Sequence, residues 1–268
     1  MKTQITTIAA AIAVALSMGV SADPRDPNYD HDGNTFNGGK GVFDAQAGIR
    51  NGLNGYATTT NPNTRDSIIL QNGGSDNVAN ATQKGTEQYS RIRQISDGIG
   101  NQAFVNQGLN GGNEQNESEV LQIGGENNLA RVTQTGNLND SYIRQTGTGD
   151  NTADVEQLNN TDSSDSVIFQ DGYDNDAYVS QLDNSDTTWS HISQTGDGNY
   201  ADVTQIRANN SASYIFQNGT EAHTATVVQR DESNSLSMIR QNTNMGGAAV
   251  ATHTQVNGSN NYASSLQW

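Results

Sequence analysis

The chain has 268 residues, of which 32% are hydrophobic, and a formal net charge of −16. Ordinary soluble domains carry about 45–50% apolar residues, so a conventional globular core is excluded, and the acidity argues against nucleic acid or an anionic membrane as the main partner. With no cysteine in the sequence, a disulfide framework is excluded as well.

Residues 1–22 read as a signal peptide: Lys2 gives a positive start, Ile8 to Val20 is largely apolar, and Val20-Ser21-Ala22 is a small-residue cleavage site. A membrane anchor would need about 20 apolar residues, and this run is shorter. Cleavage after Ala22 leaves the remainder one unit more negative, since Lys2 is the segment's one charged side chain. Residues 23–62 are rich in Asp, Asn, Gly and Pro, without a strand period. They read as a flexible leader, with a degenerate repeat over Gln46 to Thr60 as one reading of its second half.

Residues 63–268 are organised by one pattern, clearest in Ser190 to Gln205, SHISQTGDGNYADVTQ. Two alternating runs, Ser190-x-Ile192-x-Gln194 and Asn199-x-Ala201-x-Val203-x-Gln205, flank a turn at Thr195-Gly196-Asp197-Gly198. Period-two alternation sends one set of side chains to each face of a strand, and Gly and Asp suit a sharp reversal. The unit predicts strand, tight arc, strand.

The unit recurs eight times. The first-run glutamines are Gln71, Gln94, Gln122, Gln145, Gln170, Gln194, Gln217 and Gln241, spaced by 23 to 28 residues. A serine lies four residues before each, and two residues before each lies Ile69, Ile92, Val120, Ile143, Ile168, Ile192, Ile215 or Ile239. The second runs end at Gln83, Gln107, Gln134, Gln157, Gln181, Gln205, Gln229 and Gln255, with Val105, Val132, Val155, Val179, Val203 and Val227 two residues before the second to seventh of these. A ninth half-unit, Asn261-x-Ala263-x-x-x-Gln267, matches the second run. A period of this length means stacked supersecondary units. The few apolar residues then lie in register and make a thin continuous core, which reconciles the composition with a fold.

Facing geometry follows if the two strands of a unit lie in opposite sheets about 10 Å apart. The arc sets Gln194 against Asn199, Ile192 against Ala201 and Ser190 against Val203, large against small. A buried amide costs a few kcal/mol if unpaired, but stacked on its own copy it can donate to the next rung, roughly 4.8 Å away. The glutamine columns and the column Asn77, Asn101, Asn128, Asn151, Asn175 and Asn199 are therefore expected to form amide ladders that fix register. The expected fold class is all-β: a two-sheet, parallel, in-register β-solenoid of about eight strand-arc-strand repeats, able to polymerise as amyloid. The insertion from Gly108 to Asn116 is expected to bulge as a loop.

The arrangement Ser-x-Ile-x-Gln-x-Gly-x-x-Asn-x-Ala-x-x-x-Gln resembles the curlin repeat of bacterial curli subunits. Gln194, Gly196, Asn199, Ala201 and Gln205 match it at the family's spacing, as do Gln170, Gly172, Asn175, Ala177 and Gln181. The resemblance implies a secreted structural subunit of curli-like functional amyloid fibres, in the biofilm matrix and cell-surface adhesion. It implies as partners the chain itself, a nucleator subunit, an outer-membrane secretion pore and periplasmic chaperones. The sequence departs from the pattern at His223, where Asn is expected, and at Ala249 and His253, which replace Asn and Val.

Other functions find less support. The histidines His31, His191, His223 and His253 fall at unrelated repeat positions, so no catalytic residue, cofactor or metal site is expected and the chain reads as a non-enzyme. Asp-rich turns suit Ca²⁺, but the nine-residue Gly-Gly-x-Gly-x-Asp repeat is missing. A monomeric secreted β-solenoid adhesin would need capped ends, and the sequence still runs in a repeat half at Gln267-Trp268. A minor nucleator subunit of the same fibre is the alternative within the family.

Overall fold

The computed structural model describes residues 65–85, 88–108, 116–137, 139–159, 161, 164–186, 188–242 and 247–268. The expected signal peptide, the leader and residues 109–115 of the insertion lie outside the described residues. Each alternating run is a strand. In chain order these are β1 (Arg65–Asn72), β2 (Val78–Gln83), β3 (Gln88–Ile95), β4 (Gln102–Gln107), β5 (Glu117–Ile123), β6 (Leu129–Gln134), β7 (Asp140–Gly149), β8 (Thr152–Leu158), β9 (Asp165–Tyr173), β10 (Asp176–Leu182), β11 (Trp189–Asp197), β12 (Tyr200–Ile206), β13 (Ala212–Gly219), β14 (Thr224–Ser233), β15 (Leu236–Asn242), β16 (Val250–Ser259) and β17 (Tyr262–Gln267). No helix occurs among the described residues.

Odd-numbered strands form a nine-stranded sheet and even-numbered strands an eight-stranded one, each in sequence order. Every neighbouring pair is parallel. Like stacks on like: Ser190 beside Ser213, Ile192 beside Ile215 and Gln194 beside Gln217 in one sheet, and Ala177 beside Ala201, Val179 beside Val203 and Gln181 beside Gln205 in the other. A one-residue slip would turn the inward set outward, so the pattern itself holds the register. One irregularity interrupts it, between Thr146 and Gly149, where β7 shifts against β9.

The core is a single file of Ile or Val from one sheet against Ala and Val from the other. Each such buried Ile or Val contributes roughly 1.5–3 kcal/mol. Ile69 departs from the expected core: it is 45% exposed while Ile92 on the next rung is 0% exposed. The reason is position, because β1 is the outermost described strand of its sheet and nothing in the described structure stacks on its outer flank.

The arcs need backbone that most residues avoid. Asp76, Asn127, Asp150 and Asp174 in one arc, and Asn159, Asp183, Asp231 and Asn257 in the other, have φ between 52° and 62°. Asn and Asp tolerate this left-handed region better than other side chains. Arg207 adopts it too, at φ 49°, in a two-point ion pair with Asp231 one rung on. Gly196 goes further: at φ 104° a Cβ there would lie 1.7 Å from the carbonyl oxygen of Gly219.

The final half-unit corrects the sequence alignment. Asn261, Ala263 and Gln267 match the second run by residue type, yet β17 lies in the nine-stranded sheet. Ala263 stacks beside Ser237, Ser265 beside Ile239 and Gln267 beside Gln241. Strands alternate between sheets along a solenoid, so after β16 the chain must cross back, and this outranks side-chain likeness.

Candidate assembly interface

The solenoid holds its polar residues in columns that run its length. The first glutamine column comprises Gln71, Gln94, Gln122, Gln145, Gln170, Gln194, Gln217, Gln241 and then Gln267, linked at 2.7 to 3.0 Å. The second comprises Gln83, Gln107, Gln134, Gln157, Gln181, Gln205, Gln229 and Gln255, linked at 2.8 to 3.0 Å. In both, every Nε2 donates to the Oε1 of the next rung, so the columns are polar in one direction. Along the first column each Nε2 also reaches a backbone carbonyl, as Gln194 does to that of Asn199 at 3.0 Å. The interior amides are thereby held where an unpaired one would cost about 1–3 kcal/mol.

The asparagine column works differently from the expected amide ladder. Its recurring link is side chain to backbone: the Oδ1 of Asn77, Asn101, Asn128, Asn151 and Asn175 accepts the main-chain N–H of Asn101, Asn128, Asn151, Asn175 and Asn199 in turn. Amide-to-amide bonds occur from Asn151 to Asn128, from Asn175 to Asn151 and from Asn199 to Asn175, at 2.9 to 3.0 Å. Asn77 and Asn101 instead donate to glycine carbonyls of the next rung, and Asn128 Nδ2 is buried without a partner.

A further column at the opposite arc escaped the sequence reading. Asn116 Oδ1 accepts the N–H of Asn139, and Asn139 Oδ1 that of Ser164. Ser211 Oγ then accepts the N–H of Ser235, and Ser235 Oγ that of Asn261. These residues lie six before each first-run glutamine, where the polar type varies and so hides the period. With this column counted, the two halves of a unit are the same device: polar cap, small residue, Ile or Val, glutamine. That equivalence is why Asn261 to Gln267 could be read as either half.

The serines face both the Val and the Gln across the core. Ser190 Oγ donates to Gln205 Oε1 at 2.9 Å, and Ser213 Oγ to Gln229 Oε1 at 3.0 Å. Where His253 replaces Val, it bridges Ser237 and Ser265 through its two ring nitrogens, at 2.8 and 2.7 Å, and so ties β17 to the rung below. His223 sits in the asparagine column and substitutes for it: its N–H donates to Asn199 Oδ1 and its Nδ1 accepts the N–H of Ala249 at 3.1 Å. Burial lowers the pKa of both imidazoles.

On the outer faces Glu117, Asp140 and Asp165 stack in register, whereas Arg144 and Asp154 stand apart from like charges. Arg144 lies between Leu121 and Phe169, and Asp154 between Arg131 and Tyr178. Desolvation first, then Glu156, pushes the Asp154 carboxyl up to about 6, against Arg131 at 3.9 Å. On the nine-stranded sheet Tyr142, Phe169, His191, Phe216 and Tyr214 make a run of ring contacts with centroids 5.3 to 6.4 Å apart. Burial holds His191 down at about 4.

Both edges expose apolar side chains. Ile68, Ile69, Leu70 and Val78 lie at one end, and Val250, Val256, Tyr262, Leu266 and Trp268 at the other, between 36% and 68% exposed. Unpaired strand edges with exposed apolar residues are a template for further strands. No group of three or more His, Cys, Asp or Glu placed to hold a metal occurs among the described residues.

Residues 125–158, a stretch spanning β6, β7 and β8, match the curlin-associated repeat. No curated protein matches the chain.

Proposed function

We propose that this chain, which carries the curlin-associated repeat, is a secreted structural subunit that stacks end to end into curli-like functional amyloid fibres. The observation that carries the reading is the polarity of its columns. A glutamine column offers an acceptor oxygen at the β1 edge, at Gln71, and a donor nitrogen at the β17 edge, at Gln267. One end therefore complements the other end of a second copy. A heterologous contact of this kind repeats without closing and gives a filament. The role is mechanical, as biofilm matrix and surface adhesion, with no catalysis and no cofactor. On the same reading the fibre lies outside the cell, and its partners are further copies, a nucleator subunit, an outer-membrane pore and periplasmic chaperones. The regular serine-first units favour a major subunit over the nucleator. Electron microscopy of purified protein left in buffer tests it. Unbranched fibres are expected, and a stable monomer after days at micromolar concentration overturns the proposal.

A further inference from the structure

Among the described residues the two sheets are unequal, nine strands against eight, and both outermost strands, β1 and β17, belong to the larger sheet. Across the core from β17 no strand lies on β16 among the described residues. The inward residues Ala263, Ser265 and Gln267 are accordingly half-buried where Ser237, Ile239 and Gln241 one rung below are buried. A second copy can meet this stepped end in two ways. Docked in line, its β1 stacks on β17 and its β2 lies one strand spacing too far from β16, roughly 4.8 Å. The backbone edge of β16 then stays bare inside the fibre, at the cost of buried unpaired N–H and C=O groups.

We propose that successive copies dock turned by half a revolution about the fibre axis, so that β1 of one copy stacks on β16 of the other and β2 stacks on β17. This rests on the end-to-end reading above and adds the geometry of the joint. Three observations favour it. The two halves of each unit are the same device, so a β1 seated in the eight-stranded sheet keeps its polar cap, small residue, apolar residue and glutamine in their columns. The glutamine columns continue, Gln71 beside Gln255 and Gln83 beside Gln267. The sizes fit as well: the half-turn brings Ile69, 45% exposed, into the rung facing β17, opposite the small Ala263, large against small as on the other rungs. The small Ala79 and Ala81 stack on Ala263 and Ser265. The described residues make an odd number of half-rungs, so identical orientation returns every second copy, and these rungs rise about 40 Å at the usual spacing.

The joint can be trapped by disulfides, since the chain has no cysteine of its own. Leu70, Thr254 and Leu266 all point outward and are exposed. Aligning Gln71 with Gln255 sets Leu70 beside Thr254, whereas in-line docking sets Leu70 beside Leu266. Neighbouring strand positions are close enough for a disulfide. Single variants L70C and T254C would be mixed, reduced, assembled into fibres and then oxidised, in parallel with a mixture of L70C and L266C. The half-turn predicts at least tenfold more heterodimer on a non-reducing gel from the first mixture. Crosslinking in the second mixture alone, equally in both, or in neither overturns it. Should a variant fail to assemble, image reconstruction of unmodified fibres decides: a half-turn between neighbours supports the proposal and an untwisted join overturns it. Absence of fibres from the unmodified protein would sink the end-to-end reading, and the joint with it.

Discussion

His223 Nδ1 accepts the main-chain N–H of Ala249 at 3.1 Å, taking the part that an asparagine Oδ1 plays on the rungs below. An asparagine oxygen accepts at any pH, whereas an imidazole nitrogen accepts only while unprotonated. Burial outweighs the opposing effects of the Asn218 backbone and of Glu221 and lowers this pKa below the ordinary histidine value.

The sign follows from linkage. The unfolded chain binds a proton at His223 near pH 6.5 while the folded chain resists it. The stability held by neutral His223 is thus complete above about pH 6.5 and is lost as pH falls through the lower folded value. Asp154 acts oppositely, since its pKa is raised to about 6 and folding gains as pH drops toward the ordinary aspartate value. Comparing H223N with the unmodified protein isolates the histidine. We expect H223N to be the more stable by a margin that grows as pH falls from 7.5 to 5, read from denaturant midpoints.

Glycine is required in one arc position and merely preferred in its neighbour. A Cβ at Gly196 would sit 1.7 Å from a carbonyl oxygen that belongs to the ladder, while at Gly198 the nearest atom is 3.4 Å away. G196A should cost about 4 kcal/mol or more through clash and strain together. G198A, at φ +69°, should cost about 1–2 kcal/mol for the left-handed backbone alone. Equilibrium unfolding of the two variants makes the comparison.

Position along a column decides whether a glutamine serves the fold or the joint. Gln157 is 0% exposed, takes a bond from Gln134 and gives one to Gln181. Q157A should lower stability by about 2–4 kcal/mol, as a cavity with orphaned amides. Gln71, at the open edge, is exposed, so Q71A should cost about 1 kcal/mol or less yet slow elongation more than its effect on stability explains. Seeded growth rates beside unfolding midpoints separate the two.

Much of this architecture was legible because the repeat is written in residue types that have one use each. Ile192, Gln194, Ala201 and Gln205 point to strands, register and columns at once. Three features were not legible. The opposite-arc column varies between Asn and Ser, since any short side chain with an acceptor can take the next N–H, and chemistry alone showed no period. The sheet of β17 is decided by counting strands, because the two half-units read alike. The service of His223 as an asparagine substitute needs the distance to Ala249, which residue type cannot supply.

Charge should set the pace of growth. With a net charge of −16, each arriving copy meets a negative fibre, and self-repulsion opposes docking. Salt at 0.1 M, with a Debye length of about 10 Å, should speed elongation severalfold over low salt in seeded thioflavin assays.

The central claim is that the rungs of the solenoid continue from copy to copy. Diffraction from aligned fibres of the purified protein tests it most directly. A sharp meridional reflection is expected at about 4.7–4.8 Å, from strands perpendicular to the axis, and an equatorial one near 10 Å from the two packed sheets. Fibres that lack the meridional reflection, or show it off the fibre axis, would contradict it.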